Sequence, residues 1–401
     1  MTRSVALVAS LAGCITSLPT LTPDDGGVDT AIDSGVSDAG IDAGFDAGTP
    51  LLGRSLRATT GHTCAVIDED LYCWGSNSDG QIGRPGGDAL RPTAIETTRP
   101  WIEVAGRDLF TCARDARGDV ACWGGNDFGQ LGVGDTAARM TPSNVAIAGV
   151  VALTGGYDHT CAVDGSGGLF CWGRNNEGQL GLDDPPPFLP DQSEPTLQSR
   201  QDWLLVDGGQ GHSCAVDANN VGLCWGRNTS DELGLGVAAP GQRRSPTEID
   251  GFRWSRIAAG QNHSCGITLS RDLYCWGDGR NAQLGTGDRS DRAEPALIGD
   301  GYDDVDLDTF HTCALRAGVL ECWGRNAEGQ LGTEDLMDRP SPTPVTPFAD
   351  WVEVSVGRFH TCAKRADNSI WCTGANAEGK LGTGDRDRRR AFTQVWPLDP
   401  S

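Results

Sequence analysis

Apolar residues along this chain come in short bursts set off by glycine, proline and polar turn residues, and no run of about 18 of them is present to cross a bilayer. One kind of burst opens on an aromatic residue, as in Trp101-Ile102-Glu103-Val104, Trp203-Leu204-Leu205-Val206, Trp254-Ser255-Arg256-Ile257 and Trp351-Val352-Glu353-Val354. A second opens on proline, as in Pro92-Thr93-Ala94-Ile95, Pro246-Thr247-Glu248-Ile249 and Pro342-Thr343-Pro344-Val345. Two more flank a short polar turn, His-Thr-Cys-Ala before it and Leu-Tyr-Cys-Trp-Gly after it. Segments of this length between turn residues predict strands, about four per repeating unit, which is the content of a propeller blade.

The unit recurs seven times from residue 53 onward. Its cysteines pair as Cys64 with Cys73, Cys112 with Cys122, Cys161 with Cys171, Cys214 with Cys224, Cys265 with Cys275, Cys313 with Cys322 and Cys362 with Cys372, and the first members follow one another by 48 to 53 residues. Self-similarity at that period signals a stacked or circular repeat array. All six histidines, His62, His159, His212, His263, His311 and His360, sit two residues before a first cysteine, and Phe110 fills that slot in the second copy. Placement repeated this closely predicts a scaffold role.

Within a copy the cysteine spacing reads as a β-hairpin. Cys64 and Cys73 stand symmetrically about Asp68-Glu69, four residues out on each strand from a two-residue turn, so they face each other. Where the spacing is ten, a three-residue turn such as Ala116-Arg117-Gly118 restores the pairing, with glycine free to adopt a left-handed conformation. Cross-strand neighbours are close enough to bridge, which predicts seven disulfides, each local to its repeat and each worth about 2–3 kcal/mol in the chain-entropy model. The competing reading is a metal site built from the histidine and the two cysteines, but the second copy keeps Cys112 and Cys122 without a histidine, and a fourth ligand is not evident. The proline-led strand is missing before the first copy and recurs alone at the C-terminus as Ala391-Phe392-Thr393-Gln394-Val395-Trp396. This predicts that the C-terminal strand joins the first blade and closes the ring, removing open sheet edges.

The shared pattern, Gly-x-x-His, a turn, Trp-Gly and then Gly-Gln-Leu-Gly, resembles the regulator-of-chromosome-condensation repeat across residues 53 to 396. The Trp-Gly pairs begin at Trp74, Trp123, Trp172, Trp225, Trp276 and Trp323, and the seventh copy departs with Thr373-Gly374. The resemblance implies an all-β, seven-bladed β-propeller of about 50-residue repeats, and the cysteine pairs point to an oxidised bacterial branch. The family's eukaryotic namesake binds chromatin and exchanges nucleotide on a small GTPase, and its plant photoreceptor relatives use clustered tryptophans. Neither role suits this chain, whose slot after the glycine holds Tyr157, Gln261 or Arg358. A secreted bacterial relative that covers β-lactamases with one propeller face is the nearer analogy.

Composition narrows the partners. With 55 acidic and 32 basic residues the formal charge is −23, which repels a nucleic-acid backbone. Fifteen cysteines suit an oxidising compartment, and the unpaired one is Cys14. Residues 1–13 run from Arg3 through an apolar core to Leu11-Ala12-Gly13, and resemble a bacterial lipoprotein signal cleaved before a lipid-bearing Cys14. Ile15 after that cysteine suggests the outer membrane, with secretion as the alternative. The rest of the segment 14–50 is an acidic linker: residues 22–50 hold seven aspartates and no lysine or arginine, and read as a disordered tether, since no calcium-loop pattern is present. The domain expected beyond it is the propeller, residues 51–401.

Beyond Cys14 of the leader, no histidine or cysteine lies outside the repeated slots to mark a catalytic centre, and the recurring glycine segments lack the Gly-Lys-Ser/Thr end of a phosphate-binding loop. The expectation is a non-catalytic, monomeric module without a cofactor, tethered to the membrane by lipid alone. It would bind a protein or glycan through one face, with 183–190, 236–244 and 386–390, where the copies differ most, as the candidate contacts. The alternatives are a polymer-degrading hydrolase or lyase, which requires non-repeated acids converging at one end of the channel, and a surface structural protein without a ligand.

Overall fold

The computed structural model describes residues 53–95, 98–182, 189–237 and 241–397. Within them the chain forms seven four-stranded antiparallel sheets, spanning 56–94, 101–144, 150–201, 203–248, 254–299, 304–344 and 351–396. These are the blades of a seven-bladed β-propeller. In blade 1 the strands are β1 (Leu56–Ala58), β2 (His62–Ile67), β3 (Asp70–Gly75) and β4 (Ala89–Ala94), and β1 is innermost.

The hairpin arithmetic holds. Cys64 lies opposite Cys73, and Asp68 and Glu69 take φ of 50° and 69°, as a two-residue turn matched to the strand twist requires. In blade 2 the turn is one residue longer and Gly118 adopts φ of 85°. All seven cysteine pairs are disulfide-bonded inside their own blades, between second and third strands. Cys14 and the proposed leader and linker lie outside the described residues.

The expected ring closure needs correction. The proline-led segment is not the outer strand of the blade that follows it: β4 pairs back onto β3, with Tyr72 opposite Ala94 and Cys73 opposite Thr93. Each blade is therefore continuous in sequence, and the C-terminal strand Arg389–Trp396 pairs with Ile370–Gly374 of blade 7, not with blade 1. The physical reason lies in the loop before the fourth strand. The Asn77 N–H donates to Asp88 Oδ1 (3.1 Å), and its side-chain amide donates to the carbonyls of Arg84 and Gly86, folding the chain back onto the open edge of its own sheet. The ring closes laterally instead, where the N–H groups of Leu56 and Ala58 donate to Glu353 Oε1 and Ser355 Oγ, each at 2.9 Å.

Two faces result. The hairpin turns and the connections between blades occupy one, the hairpin face. The connections between first and second strands and the long loops between third and fourth strands occupy the other, the loop face.

Candidate binding face

The repeated polar residues are consumed in joints between blades. The six histidines reach a hydroxyl one blade on: His62 to Thr111 (2.7 Å), His159 to Ser213 (2.9 Å), His212 to Ser264 (2.9 Å), His263 to Thr312 (3.0 Å), His311 to Thr361 (2.7 Å) and, across the closure, His360 to Thr63 (2.9 Å). Each hydroxyl spends its single hydrogen on a main-chain carbonyl of the preceding blade's Gly-Gln-Leu-Gly segment, as Thr111 does on Gln81 (2.8 Å) and Thr361 on Gln330 (2.7 Å). The imidazole must therefore donate Nε2–H, which fixes one neutral tautomer. Burial holds these rings neutral, pushing His62, His263 and His311 down to about 3 and His159 down to about 4.

The same carbonyls take the indole N–H of the next blade, Trp123 on Gln81 (3.0 Å), Trp172 on Gln130 (2.9 Å), Trp225 on Gln179 (2.8 Å), Trp276 on Glu232 (3.0 Å) and Trp323 on Gln283 (3.0 Å). Trp74 is equally buried, packed beside Gly382 next to the closure. Only glycine fits after the leucine: a Cβ at Gly132 would stand 2.6 Å from Nε1 of Trp172. The segment is thus a turn and not a phosphate cradle. Its N–H groups are capped by its own side chains, Leu331 by Asn326 Oδ1 (3.0 Å) and Glu328 by Gln330 Oε1 (2.9 Å). With the fourteen cysteines oxidised, no thiolate is left to join a histidine at a metal.

Sequence reasoning missed the channel. Blade 6 has Asp304, Asp306 and Asp308 along its inner strand and its end, and Asp207, Glu103 and Glu353 add acids from blades 4, 2 and 7. Non-repeated acids do converge, as the polymer-degrading alternative required, but they are engaged. Glu103 accepts the N–H of Leu153 (3.1 Å), Asp207 that of Ala259 (2.9 Å) and Asp306 that of Val356 (2.7 Å), each one blade on. Arginines neutralise them: Arg54 and Arg256 reach Asp304 at 3.2 and 3.1 Å, Arg57 reaches Asp306 at 3.7 Å, and Arg114 grips Glu103 at 2.5 Å. Arg107 crosses the channel to the carbonyls of Ala259 (3.0 Å) and Leu307 (3.2 Å), and Tyr157 reaches Asp308 (2.9 Å). A cavity of about 50 Å³ remains among Arg54, Arg57, Glu103, Asp207 and Arg256, enough for a few waters and far too small for a polymer. The local signal was three aspartates in alternation; their partners stand up to 250 residues away.

Above this plug the loop face carries what the repeat leaves free. The connections between first and second strands hold Thr60, Arg107, Tyr157, Gln210, Gln261, Thr309 and Arg358, four residue types over seven blades, of which Arg107 and Tyr157 turn into the channel. Burial raises the carboxyl of Asp108 at this mouth, with Arg358 acting in the opposite direction. On blades 6 and 7 two half-buried phenylalanines, Phe310 and Phe359, stack at 5.4 Å. Arg325 lies over Phe310 at 5.1 Å and Arg358 over Phe359 at 5.3 Å.

The three variable stretches named from sequence also belong to the loop face. Leu189, Pro190 and Arg244 come together with Asn175, Asn176 and Asp191 around a cleft of about 430 Å³, while 183–188 and 238–240 lie outside the described residues. The cluster 386–390 is partly tied down, with Arg386 on Asp88 (3.0 Å) and Arg389 on Asp385 (2.5 Å).

A family model described as an RCC1-like domain matches residues 53–307, and models of the regulator of chromosome condensation (RCC1) repeat match 318–363 and 351–380. The ultraviolet-B receptor UVR8 of Arabidopsis thaliana is 39% identical over 93 residues, 22% of this chain and 21% of that protein. The probable E3 ubiquitin-protein ligase HERC3 of Homo sapiens is 34% identical over 103 residues, 25% of this chain and 10% of its own length. The chain therefore covers only a small part of these relatives. Among solved structures, human WBSCR16 superposes with a TM-score of 0.73 at 18% identity, covering 82% of this chain and 94% of that one. Prp20p from Saccharomyces cerevisiae, studied with its binding to Gsp1p and histones, gives 0.72 at 21% identity, covering 85% of this chain and 87% of that one. At such identities the likeness is one of fold.

Proposed function

Given that the chain belongs to the RCC1-like repeat family, we propose that it is a non-catalytic binding module that engages a protein partner through the loop face. One observation carries this reading: the repeated His, Ser/Thr, Trp, Gln and Asn side chains are spent inside the ring, and the residues left over collect at one mouth as an arginine and aromatic surface. Such residues dominate binding hot spots, and a scaffold fixed by hydrogen bonds and disulfides presents them with little ordering cost.

The segment 1–50 extends the proposal to place. A lipid on Cys14 and an acidic spacer would tether the propeller in a bacterial envelope.

A photo-crosslinking amino acid placed in the full chain at Leu109, 40% exposed on the loop face, or at Leu269, 58% exposed on the hairpin face, tests the reading in envelope preparations. A saturable crosslink from position 109 and none from 269 is expected. The reverse pattern, or none from either, overturns it.

A further inference from the structure

On the loop face of blades 6 and 7, Arg325 and Arg358 lie on a stacked pair of phenylalanines, and neither guanidinium has a carboxylate within ion-pair distance among the described residues. Arg358 Nε is buried and without a hydrogen-bond partner. Nearer the axis Arg54, Arg57 and Arg256 are paired with Asp304 and Asp306, whereas Arg325 and Arg358 are half-buried without a paired acid among the described residues. A desolvated cation without a counter-charge is costly. Asp108 feels the charge of Arg358, but its carboxyl is itself held high by burial and it forms no ion pair with Arg358 within 4 Å.

We infer that this pair is a carboxylate-reading site for an acidic peptide segment of the protein partner, an assignment that rests on the loop-face reading above. Each guanidinium lies over a ring at 5.1 and 5.3 Å and makes no ion pair among the described residues, so its terminal N–H groups are left to grip a carboxylate with charge-assisted hydrogen bonds. A peptide suits the site better than an acidic sugar polymer, because both rings are already stacked on each other and on guanidiniums, so the cluster offers N–H donors and not a bare aromatic face for a sugar ring. The net charge of −23 makes the site a local exception, so recognition depends on contact geometry and is screened by salt.

The test titrates the full chain with a fluorescent Glu/Asp-rich peptide, its Gln/Asn counterpart and sodium polygalacturonate. The acidic peptide is expected to bind saturably and its neutral counterpart not. The double variant Arg325→Ala/Arg358→Ala should weaken binding about tenfold or more, as the loss of charge-assisted hydrogen bonds implies, while Arg253→Ala on the hairpin face leaves it unchanged. Arg325→Lys/Arg358→Lys, which keeps charge and loses the planar fork, should still lose most of the affinity and guards against misfolding as the cause. Absence of peptide binding, equal binding of both peptides or by the variants, or binding of polygalacturonate alone overturns the assignment. Crosslinking from position 109 in the double variant separates the two claims: a partner retained there with the acidic peptide ignored keeps the loop face and discards the carboxylate site.

Discussion

Six of the seven joints between blades share one chemistry and the joint between blades 2 and 3 does not. At the six, a neutral histidine donates to a hydroxyl that donates onward to a carbonyl. Between blades 2 and 3, Phe110 stands in the histidine slot, and Thr160 still donates to Gln130 at 2.8 Å. Phe110 sits instead in an apolar cluster with Ala105, Leu153, Ala162 and Trp172, and the joint relies on the inner link that Asp207, Asp306 and Glu353 also make elsewhere, here from Glu103, which bridges Arg114 and the Leu153 N–H. A joint can thus be made by dispersion and one buried ion pair as well as by a relay. What distinguishes the two is their response to protons.

The largest expected effect follows from that. The histidines titrate in the unfolded chain near 6.5 and in the folded one far lower, so the unfolded state takes up protons first as the pH falls. Stability is whole above 6.5 and is lost progressively down to the folded values of about 3 to 4. At a pH of about 4.5 the loss is a few kcal/mol for each of His62, His159, His263 and His311, together on the order of the stability of a typical domain. Denaturant midpoints measured across this window should fall steeply, and a flat profile would dismiss the neutral relay. Glu103 runs the other way. Burial pushes its carboxyl up to about 7, so its contribution is whole below 4.5 and is lost as the pH rises through 7.

Exchanging the two chemistries sharpens the contrast. Phe110→His should meet the waiting Thr160 hydroxyl and change stability at neutral pH by no more than about 1 kcal/mol, but steepen the loss at pH about 4.5. His311→Phe should do the opposite and make the acid limb shallower. Paired denaturation curves at the two pH values read both, and parallel shifts at both would mean that the slot acts through volume alone.

The sequence made one side of this comparison visible. Six histidines in one slot, cysteines symmetric about a turn and a carried-through Trp-Gly all repeat, so local spacing was enough to expect the blades, the hairpins and the disulfides. The hydroxyl after each histidine also repeats, yet its carbonyl partner lies some 30 residues back on another blade, and only the assembled ring joins them. The proline-led strand was misassigned because it precedes one blade in sequence by as little as it follows another. The side-chain caps of the preceding loop decide between them. Arg54 with Asp304, and Arg325 with Phe310, carry no periodic signal because each occurs once.

The smallest expected effect tests the closure. Lys380 occupies the glutamine slot of blade 7; its carbonyl still takes Thr63 at 2.8 Å, and its ammonium donates to the Thr60 carbonyl at 3.0 Å and lies 2.9 Å from Glu378. Lys380→Gln would restore the side-chain cap that Gln330 provides to Glu328 in blade 6, while losing the bond to Thr60. The two changes should cancel to within about 1 kcal/mol at neutral pH. At acid pH they should not. After burial, the charge of Lys380 is the next cause that holds His360 well below its usual range, so removing it lets His360 rise and shrinks the acid loss at this joint. A variant equal to the parent at pH about 7 and more stable than it at about 4.5 would make the closure an ordinary joint with an added charge. A large loss at neutral pH would instead make the ammonium bridge from Lys380 to Thr60 the element that shuts the ring, in place of the strand exchange that the chain ends suggested.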